Sequence, residues 1–197
     1  MRILVFSDVH GDKTALNRLM DMEADMYIAA GDLATFSRGL DALAPILARR
    51  AEKMWILPGN HEHASQVEAY CERHGFRTLH RKSLVINGIR VAGLGHSNPT
   101  PFNTPGEDSE ETIAENLQEF AALKPLALIC HCPPLDTSLD EASPGKHFGS
   151  RAIRKFVDTY QPQWFLCGHI HEAAGREVML GQTRGVNVGK QGFLLAL

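Results

Sequence analysis

The chain has 197 residues, and we expect residues 1–197 to form a single domain with its own core. The net charge is −3 and 22% of the residues are charged, so no basic surface for nucleic acid or for an anionic membrane is indicated. No apolar run approaches the roughly 20 residues of a membrane span, and the chain does not begin with a signal-peptide pattern. These features predict a cytoplasmic protein.

Short apolar runs alternate with segments of helical periodicity. The runs at residues 3–6, 26–30, 54–57, 126–130 and 164–167 predict buried strands. The periodic segments predict helices at residues 12–23, 38–51, 64–74, 109–123 and 150–160. Alternation of this kind indicates βαβ units and a mainly parallel sheet.

Two segments depart from this alternation. Residues 83–95 place Asn87-Gly88 between two apolar runs, which predicts a hairpin with a type I′ turn. Residues 176–197 are typical of short antiparallel strands. We therefore expect a mixed sheet, or two sheets packed together.

A polar residue follows each of the five predicted buried strands. Ligands bind at the carboxyl ends of strands in open α/β sheets, so these residues are expected to share one site. A single Asp at such a position is as well explained by a helix cap or a turn, but five together favour a site. The residues are Asp8 and His10, Asp32, Asn60 and His61, His131, and His169 and His171.

Asp, Asn and His supply the oxygen and nitrogen ligands that Mn²⁺, Fe, Zn²⁺, Ni²⁺ and Co²⁺ accept. The number of donors exceeds what one catalytic ion with an open position requires, so we expect two divalent ions, with Mn²⁺ favoured. Two carboxylates leave such a pair with net positive charge, which suits a phosphate group.

In order along the chain, the motifs are Asp8-Val9-His10, Gly31-Asp32, Gly59-Asn60-His61-Glu62, His131 and Gly168-His169-Ile170-His171. This ordered set resembles the calcineurin-like metallophosphoesterase family, and in particular its small prokaryotic-type phosphodiesterase branch. The resemblance implies an α/β fold of two packed mixed sheets flanked by helices, a four-layer α-β-β-α sandwich. It also implies a binuclear metal centre and a hydrolase acting on phosphoesters.

The resemblance further implies a role for each residue. One metal ion would be held by Asp8, His10 and His171. The second would be held by Asn60, His131 and His169, with Asp32 bridging the two. His61 would face the substrate, stabilising the transition state or protonating the leaving oxygen. A hydroxide between two ions roughly 3.5–4 Å apart would attack phosphorus in line, with no covalent intermediate.

One motif departs from the protein phosphatase branch, which continues the Gly-Asp motif with a second Asp and an Arg. Thr35 stands at the position of that Asp, and Pro58 replaces the Arg that precedes the Asn motif. These differences argue against a phosphoprotein phosphatase and leave open what orients His61. A phosphodiesterase is the favoured function.

Alternatives are a nucleotide or polyphosphate phosphomonoesterase, or a non-catalytic protein-interaction module, which would be expected to have lost ligands. A phosphoester, with a nucleotide-like one among the candidates, is the expected partner. Nucleic acid and membrane are not expected partners, and oligomerisation is left open.

Other residues carry weaker signals. His63 and His147 are candidates to line the cleft beside the site, and Lys146 is a candidate phosphate contact. A surface position at the start of a helix explains His63 equally well. Glu62 is a candidate to support the ligands, but a first-turn helix acid is the simpler interpretation. The proline-rich segment 96–106 is either a lid, an oligomer contact or a connector.

In the Cys130-His131-Cys132 triplet, alternate residues of a strand face opposite sides. We therefore expect His131 to face the site and both cysteines to pack in the core.

Overall fold

Two mixed β-sheets packed face to face form the centre of the protein in a computed structural model that describes residues 1–197. Helices cover both outer faces, which confirms the predicted four-layer sandwich. The strands are β1 Arg2–Phe6, β2 Met26–Ala30, β3 Met54–Leu57, β4 Arg77–Thr78, β5 Lys82–Ile86, β6 Ile89–Leu94, β7 Leu126–Cys130, β8 Glu141–Ser143, β9 Lys146–His147, β10 Trp164–Cys167, β11 Glu177–Leu180, β12 Thr183–Asn187 and β13 Phe193–Ala196. The helices are α1 Lys13–Asp21, α2 Ala44–Leu47, α3 Ala64–His74, α4 Glu110–Gln118 and α5 Arg151–Tyr160.

Both sheets are parallel at their centres, and antiparallel strands occur only at their edges. The first has the order β13-β1-β2-β3-β4, with only β13 antiparallel to its neighbour. The second has the order β11-β12-β10-β7-β6-β5, with β11 and β5 antiparallel to their neighbours. The five strands that precede the predicted site residues are therefore central, parallel strands.

Side-chain alternation along β1 shows how the layers form. Ile3 and Val5 face the core between the two sheets, whereas Leu4 and Phe6 face the core beneath α1, α2 and α3. A third core lies between the second sheet and helices α4 and α5. No helix is long and apolar enough to cross a membrane.

The predicted helix at residues 38–51 is broken into short pieces. A 3-10 turn at Leu40–Leu43 leads into α2, and a further 3-10 segment at Ala48–Lys53 contains Arg50 with non-helical backbone angles. Pro45, in the first turn of α2, lacks the N–H that would continue a longer helix from residue 38. The apolar spacing predicted the buried face correctly but could not predict the break.

The predicted hairpin is confirmed as β5–β6. Asn87 and Gly88 both have positive φ, 48° and 81°, which is the geometry of a type I′ turn. The tail contributes to both sheets, because β11 and β12 extend the second sheet while β13 pairs with β1 of the first. The small β8–β9 hairpin was not predicted.

Candidate metal centre

The loops that follow β1, β2, β3, β7 and β10 converge at one edge of the sandwich. They bring together all eight of the predicted site residues. The ligand atoms of seven of them form three overlapping groups, and the atoms within each group lie within 4.8 Å of one another. These groups are Asp8 with His10 and His171, Asp32 with His131 and His169, and Asp32 with His10 and His61. Asn60 joins the second group, since its Oδ1 lies 2.9 Å from both His131 Nε2 and His169 Nδ1.

Asp32 lies between the two halves of this cluster. Its Oδ2 is 3.5 Å from His10 Nε2 on one side and 3.5 Å from His131 Nε2 on the other. Its Oδ1 accepts a hydrogen bond from the backbone N–H of His61 at 3.0 Å, which fixes the carboxylate plane. The carboxylate can therefore contact an ion on either side.

Hydrogen bonds on the far side of each ligand determine which atom faces the cluster. His131 Nδ1 lies 2.9 Å from the carbonyl oxygen of Ala30, so Nδ1 donates and Nε2 faces the cluster. Asn60 Nδ2 donates to Thr104 Oγ1 at 3.0 Å, which turns Oδ1 inward. His131 Nε2 and Asn60 Oδ1 are 2.9 Å apart, a contact that requires either a proton on Nε2 or a cation beside both atoms, so this donor set fits divalent metal ions.

The charges in the cluster lead to the same conclusion. Burial lowers the pKa of His169 to about 3 and that of His10 to about 4. Burial also disfavours the imidazolium of His131, but the charge of Asp32 outweighs burial and raises the pKa of His131 to about 9. The same partnership holds the pKa of Asp32 well below its usual range despite burial. The cluster thus combines buried carboxylates with imidazoles, such as those of His10 and His169, that stay unprotonated, which favours a bound cation.

Unusual backbone geometry positions these ligands. Asp8, His10, Asp32 and His169 all have positive φ, between 46° and 70°, a left-handed conformation that costs non-glycine residues free energy. A Cβ on Gly168 would lie 2.2 Å from Ser7 Oγ and 2.5 Å from Asp8 Oδ2. The glycine therefore permits the close approach of two ligand loops.

Glu62 supports the cluster from behind, which was one of the two roles considered for it from the sequence. Its side chain is 1% exposed and accepts backbone N–H groups from Asp32 at 3.0 Å, Gly59 at 2.8 Å and Ala34 at 2.9 Å. It thus ties the turn that carries Asp32 to the turn that carries Asn60. Burial, together with the charge of Asp32, raises the pKa of Glu62, and the N–H groups of Ala34 and Gly59 oppose that rise.

The structure also shows what holds His61. The backbone N–H of Phe36 donates to His61 Nδ1 at 3.3 Å, and the Phe36 ring packs edge-on against the imidazole with ring centroids 4.9 Å apart. Nδ1 therefore accepts, and the proton of the neutral ring lies on Nε2. Thr35 pairs with a different histidine, with 3.1 Å between Thr35 Oγ1 and His10 Nδ1.

The loop between β6 and α4 is a wall of the site rather than a simple connector. Gly106 N donates to the Asn60 carbonyl at 2.8 Å, and Glu107 Oε1 accepts hydrogen bonds from the hydroxyls of Thr100 and Thr104. Thr104 in turn holds the Asn60 amide. Sequence reasoning missed Thr104 and Glu107, because residues 44 positions apart give no local signal of contact.

Two clefts open from the cluster and share His61 and His171. The larger, about 640 Å³, includes Asn60, His169 and residues of the 98–102 and 147–151 segments. The smaller, about 470 Å³, includes Asp8, His10 and Lys190. A ligand bound at the cluster can therefore extend in two directions.

The residues with weaker sequence signals lie in different places relative to the two clefts. His147 lines the larger cleft and its Nδ1 lies 2.8 Å from a carboxylate oxygen of the buried Asp140. His63 is exposed at the N-cap of α3 and lines neither cleft, and Lys146 is exposed outside both.

Cys130 and Cys132 are buried in the core beneath α4 and α5, away from His131, and burial raises the pKa of both thiols. Neither cysteine belongs to a metal-binding group.

A family model for calcineurin-like phosphoesterases matches residues 1–173, which contain the entire cluster. The chain belongs to the calcineurin-like phosphoesterase family. Members of this family hydrolyse phosphoesters, and the family typically binds two divalent metal ions.

The chain is also similar to other proteins along most of its length. An uncharacterized protein of Methanocaldococcus jannaschii is 32% identical over 203 residues, which cover 99% of this chain and 91% of that protein. The solved structure of TT1561 of Thermus thermophilus superposes with a TM-score of 0.70 at 20% identity, covering 96% of this chain and 90% of that one. The phosphopantetheinyl hydrolase of Mycobacterium tuberculosis superposes with a TM-score of 0.66 at 15% identity, covering 95% and 88%. At these identities the two structures establish the shared fold alone.

Proposed function

We propose that this calcineurin-like phosphoesterase is a phosphodiesterase that uses two divalent metal ions, with Mn²⁺ as the favoured metal. The observation that carries the proposal is the position of Asp32 midway between two sets of inward-facing ligand atoms. In this assignment one ion is held by Asp8, His10 and His171. The other is held by Asn60, His131 and His169, with Asp32 shared by both.

When bound, two such ions neutralise charge on the phosphoryl oxygens and activate water as the nucleophile. Direct attack by water, without a covalent enzyme intermediate, is the proposed route. A single turnover in ¹⁸O-labelled water is expected to place the label in the phosphate-containing product. Absence of label there would contradict direct attack.

His61 assists departure of the leaving group in this proposal. The N–H of Phe36 holds Nδ1 as an acceptor, so Nε2–H is free to donate a hydrogen bond to the leaving oxygen or to a phosphoryl oxygen and to stabilise the negative charge that develops there. His61 also borders both clefts, so either orientation of the ester keeps it beside the scissile bond. The contact with Phe36 takes the place of the aspartate that orients the corresponding histidine in the phosphatase branch.

The two clefts favour a diester over a monoester. A diester carries a substituent on each side of phosphorus, and the cluster has a cleft on each side. A phosphomonoester dianion would benefit from further cationic side chains at the cluster. The clefts contain two such side chains, Arg151 in the larger cleft and Lys190 in the smaller one, and Lys190 is paired with Asp12 at 3.2 Å.

The test compares a p-nitrophenyl diester with p-nitrophenyl phosphate across divalent metals. We expect metal-dependent hydrolysis, with the diester preferred. His61→Ala should lower kcat by about 10²- to 10⁴-fold while retaining bound metal, whereas Asp32→Ala should lose both metal and activity. His63→Ala, two residues along and outside the clefts, is the matched control and should behave as wild type. Retained activity in Asp32→Ala would refute the site assignment.

A further inference from the structure

Exposed phenylalanine side chains are concentrated at the candidate site. The chain has nine phenylalanines, of which three are exposed: Phe36 at 46%, Phe102 at 75% and Phe148 at 47%. Phe36 packs against His61, and the other two line the larger cleft. An apolar ring left in contact with water gains free energy when a ligand covers it. Three such rings around one cluster indicate a ligand surface.

Both cleft-lining rings project from loops that hydrogen bonds hold in place. Phe102 lies between Thr100 and Thr104, whose hydroxyls both bond to the Glu107 carboxylate. Phe148 lies beside Gly149, whose N–H donates to the buried Asp140 at 2.9 Å. A preorganised loop keeps an exposed ring ready to contact a ligand at low entropic cost.

The ligand must reach from the cluster to these rings. The larger cleft is continuous from Asn60 and His169 to Phe102 and Phe148, and its volume of about 640 Å³ is enough for a substituent of ring size. Pro99 and Pro101 add further apolar surface beside Phe102. Flat apolar rings that line the same cleft as the cluster match a planar aromatic group by stacking.

We propose that Phe102 and Phe148 form an aromatic subsite that binds a planar aromatic substituent of the phosphoester, the chemistry shared by nucleobases and aryl groups. The inference rests on the proposed function, since it places the phosphorus at the metal cluster. Phe102 and Phe148 are specificity-determining residues in this account, and they take no part in the bond-breaking step.

The test measures binding by calorimetry to the Mn²⁺-loaded protein, separately from hydrolysis. The probes are methyl esters of benzylphosphonate, cyclohexylmethylphosphonate and methylphosphonate, which differ in one substituent. A thymidine ester of methylphosphonate is the nucleobase probe. We expect the benzyl compound to bind more tightly than the cyclohexylmethyl compound. Phe102→Ala and Phe148→Ala should each weaken benzyl binding by about 5- to 100-fold, with the methylphosphonate ester unaffected.

Phe102→Leu and Phe148→Leu retain apolar bulk but remove the flat ring, and should also lose the preference for benzyl. Equal affinity for the benzyl and cyclohexylmethyl compounds in the wild type would overturn the subsite. Full retention of the benzyl preference in both leucine variants would also overturn it. If Phe102→Ala binds the phosphonate probes as tightly as the wild type but has a changed sedimentation coefficient, the exposed rings mediate self-association, and this result would also overturn the subsite. Tighter binding of the thymidine probe than of the benzyl probe would identify the nucleobase as the group recognised, and equal binding an aryl group.

The proposed function is tested by a different result, the hydrolysis of the esters. If no ester is hydrolysed while the benzyl preference holds, the proposed function fails and the subsite stands. If hydrolysis is observed without any aromatic preference, the subsite alone fails.

Discussion

Glu62→Gln tests the idea that a buried carboxylate assembles the metal centre from behind. One carboxylate oxygen accepts the N–H groups of Asp32 and Gly59, and the other accepts that of Ala34. Glutamine has nearly the same shape but only one acceptor oxygen. If that oxygen keeps the Asp32 and Gly59 bonds, the amide NH₂ faces the Ala34 N–H, and two donors meet in a buried space.

The expected cost follows from this geometry. One hydrogen bond is lost and two buried donors are left facing each other without an acceptor, and each unsatisfied buried donor costs about 1–3 kcal/mol. We therefore expect Glu62→Gln to lower the free energy of unfolding by about 2–4 kcal/mol. Because Glu62 aligns the turns that carry Asp32 and Asn60, we also expect divalent metal affinity to fall by about 10- to 100-fold.

Two measurements check these values. Urea unfolding of the metal-free protein gives the change in stability, and calorimetric titration with Mn²⁺ gives the change in affinity. Glu115→Gln makes the same chemical change on the exposed surface of α4 and should stay within about 0.5 kcal/mol of wild type. Wild-type stability and metal affinity in Glu62→Gln would refute the role of Glu62.

Three further substitutions probe other parts of the site. Thr104→Val removes the acceptor of the Asn60 amide, and calorimetry should show about tenfold weaker metal binding; unchanged affinity would contradict the loop's supporting role. Gly168→Ala places a methyl group against an Asp8 carboxylate oxygen and should likewise weaken metal binding; wild-type affinity would show that the loops can separate freely. The hydrogen bond to Asp140 raises the pKa of His147, so this pair stabilises the fold below about pH 6.5 and less as pH rises through the raised pKa. An NMR titration of Asp140→Asn should show that pKa lowered, and an unmoved value would exclude Asp140 as its cause.

The fold could be predicted because its signals are local. Each buried strand is a short apolar run followed by a polar residue, and Asn87-Gly88 specifies its own turn. Parallel strands place their carboxyl ends at one edge, so five separate motifs could be assigned to one site before any contact was known. The break in the 38–51 segment escaped prediction because the apolar spacing continues through it.

The contacts of the supporting residues could not be predicted because their partners are distant in sequence. Glu62 was a candidate to support the ligands, but its sequence position is also typical of a first-turn helix acid, and only the folded structure shows its N–H partners 28 and 30 residues away. Thr35 was recognised as a departure from the phosphatase motif, but its contact with His10 depends on the geometry of two loops. The backbone N–H of Phe36 carries no sequence signal, since every residue except proline has one.

Anomalous diffraction from crystals soaked in Mn²⁺ tests the central claim most directly. The account predicts two manganese peaks per chain. One should be bounded by Asp8, His10 and His171 and the other by Asn60, His131 and His169, with Asp32 contacting both. A single peak, peaks outside this cluster, or a pair that Asp32 does not bridge would contradict the proposed metal centre.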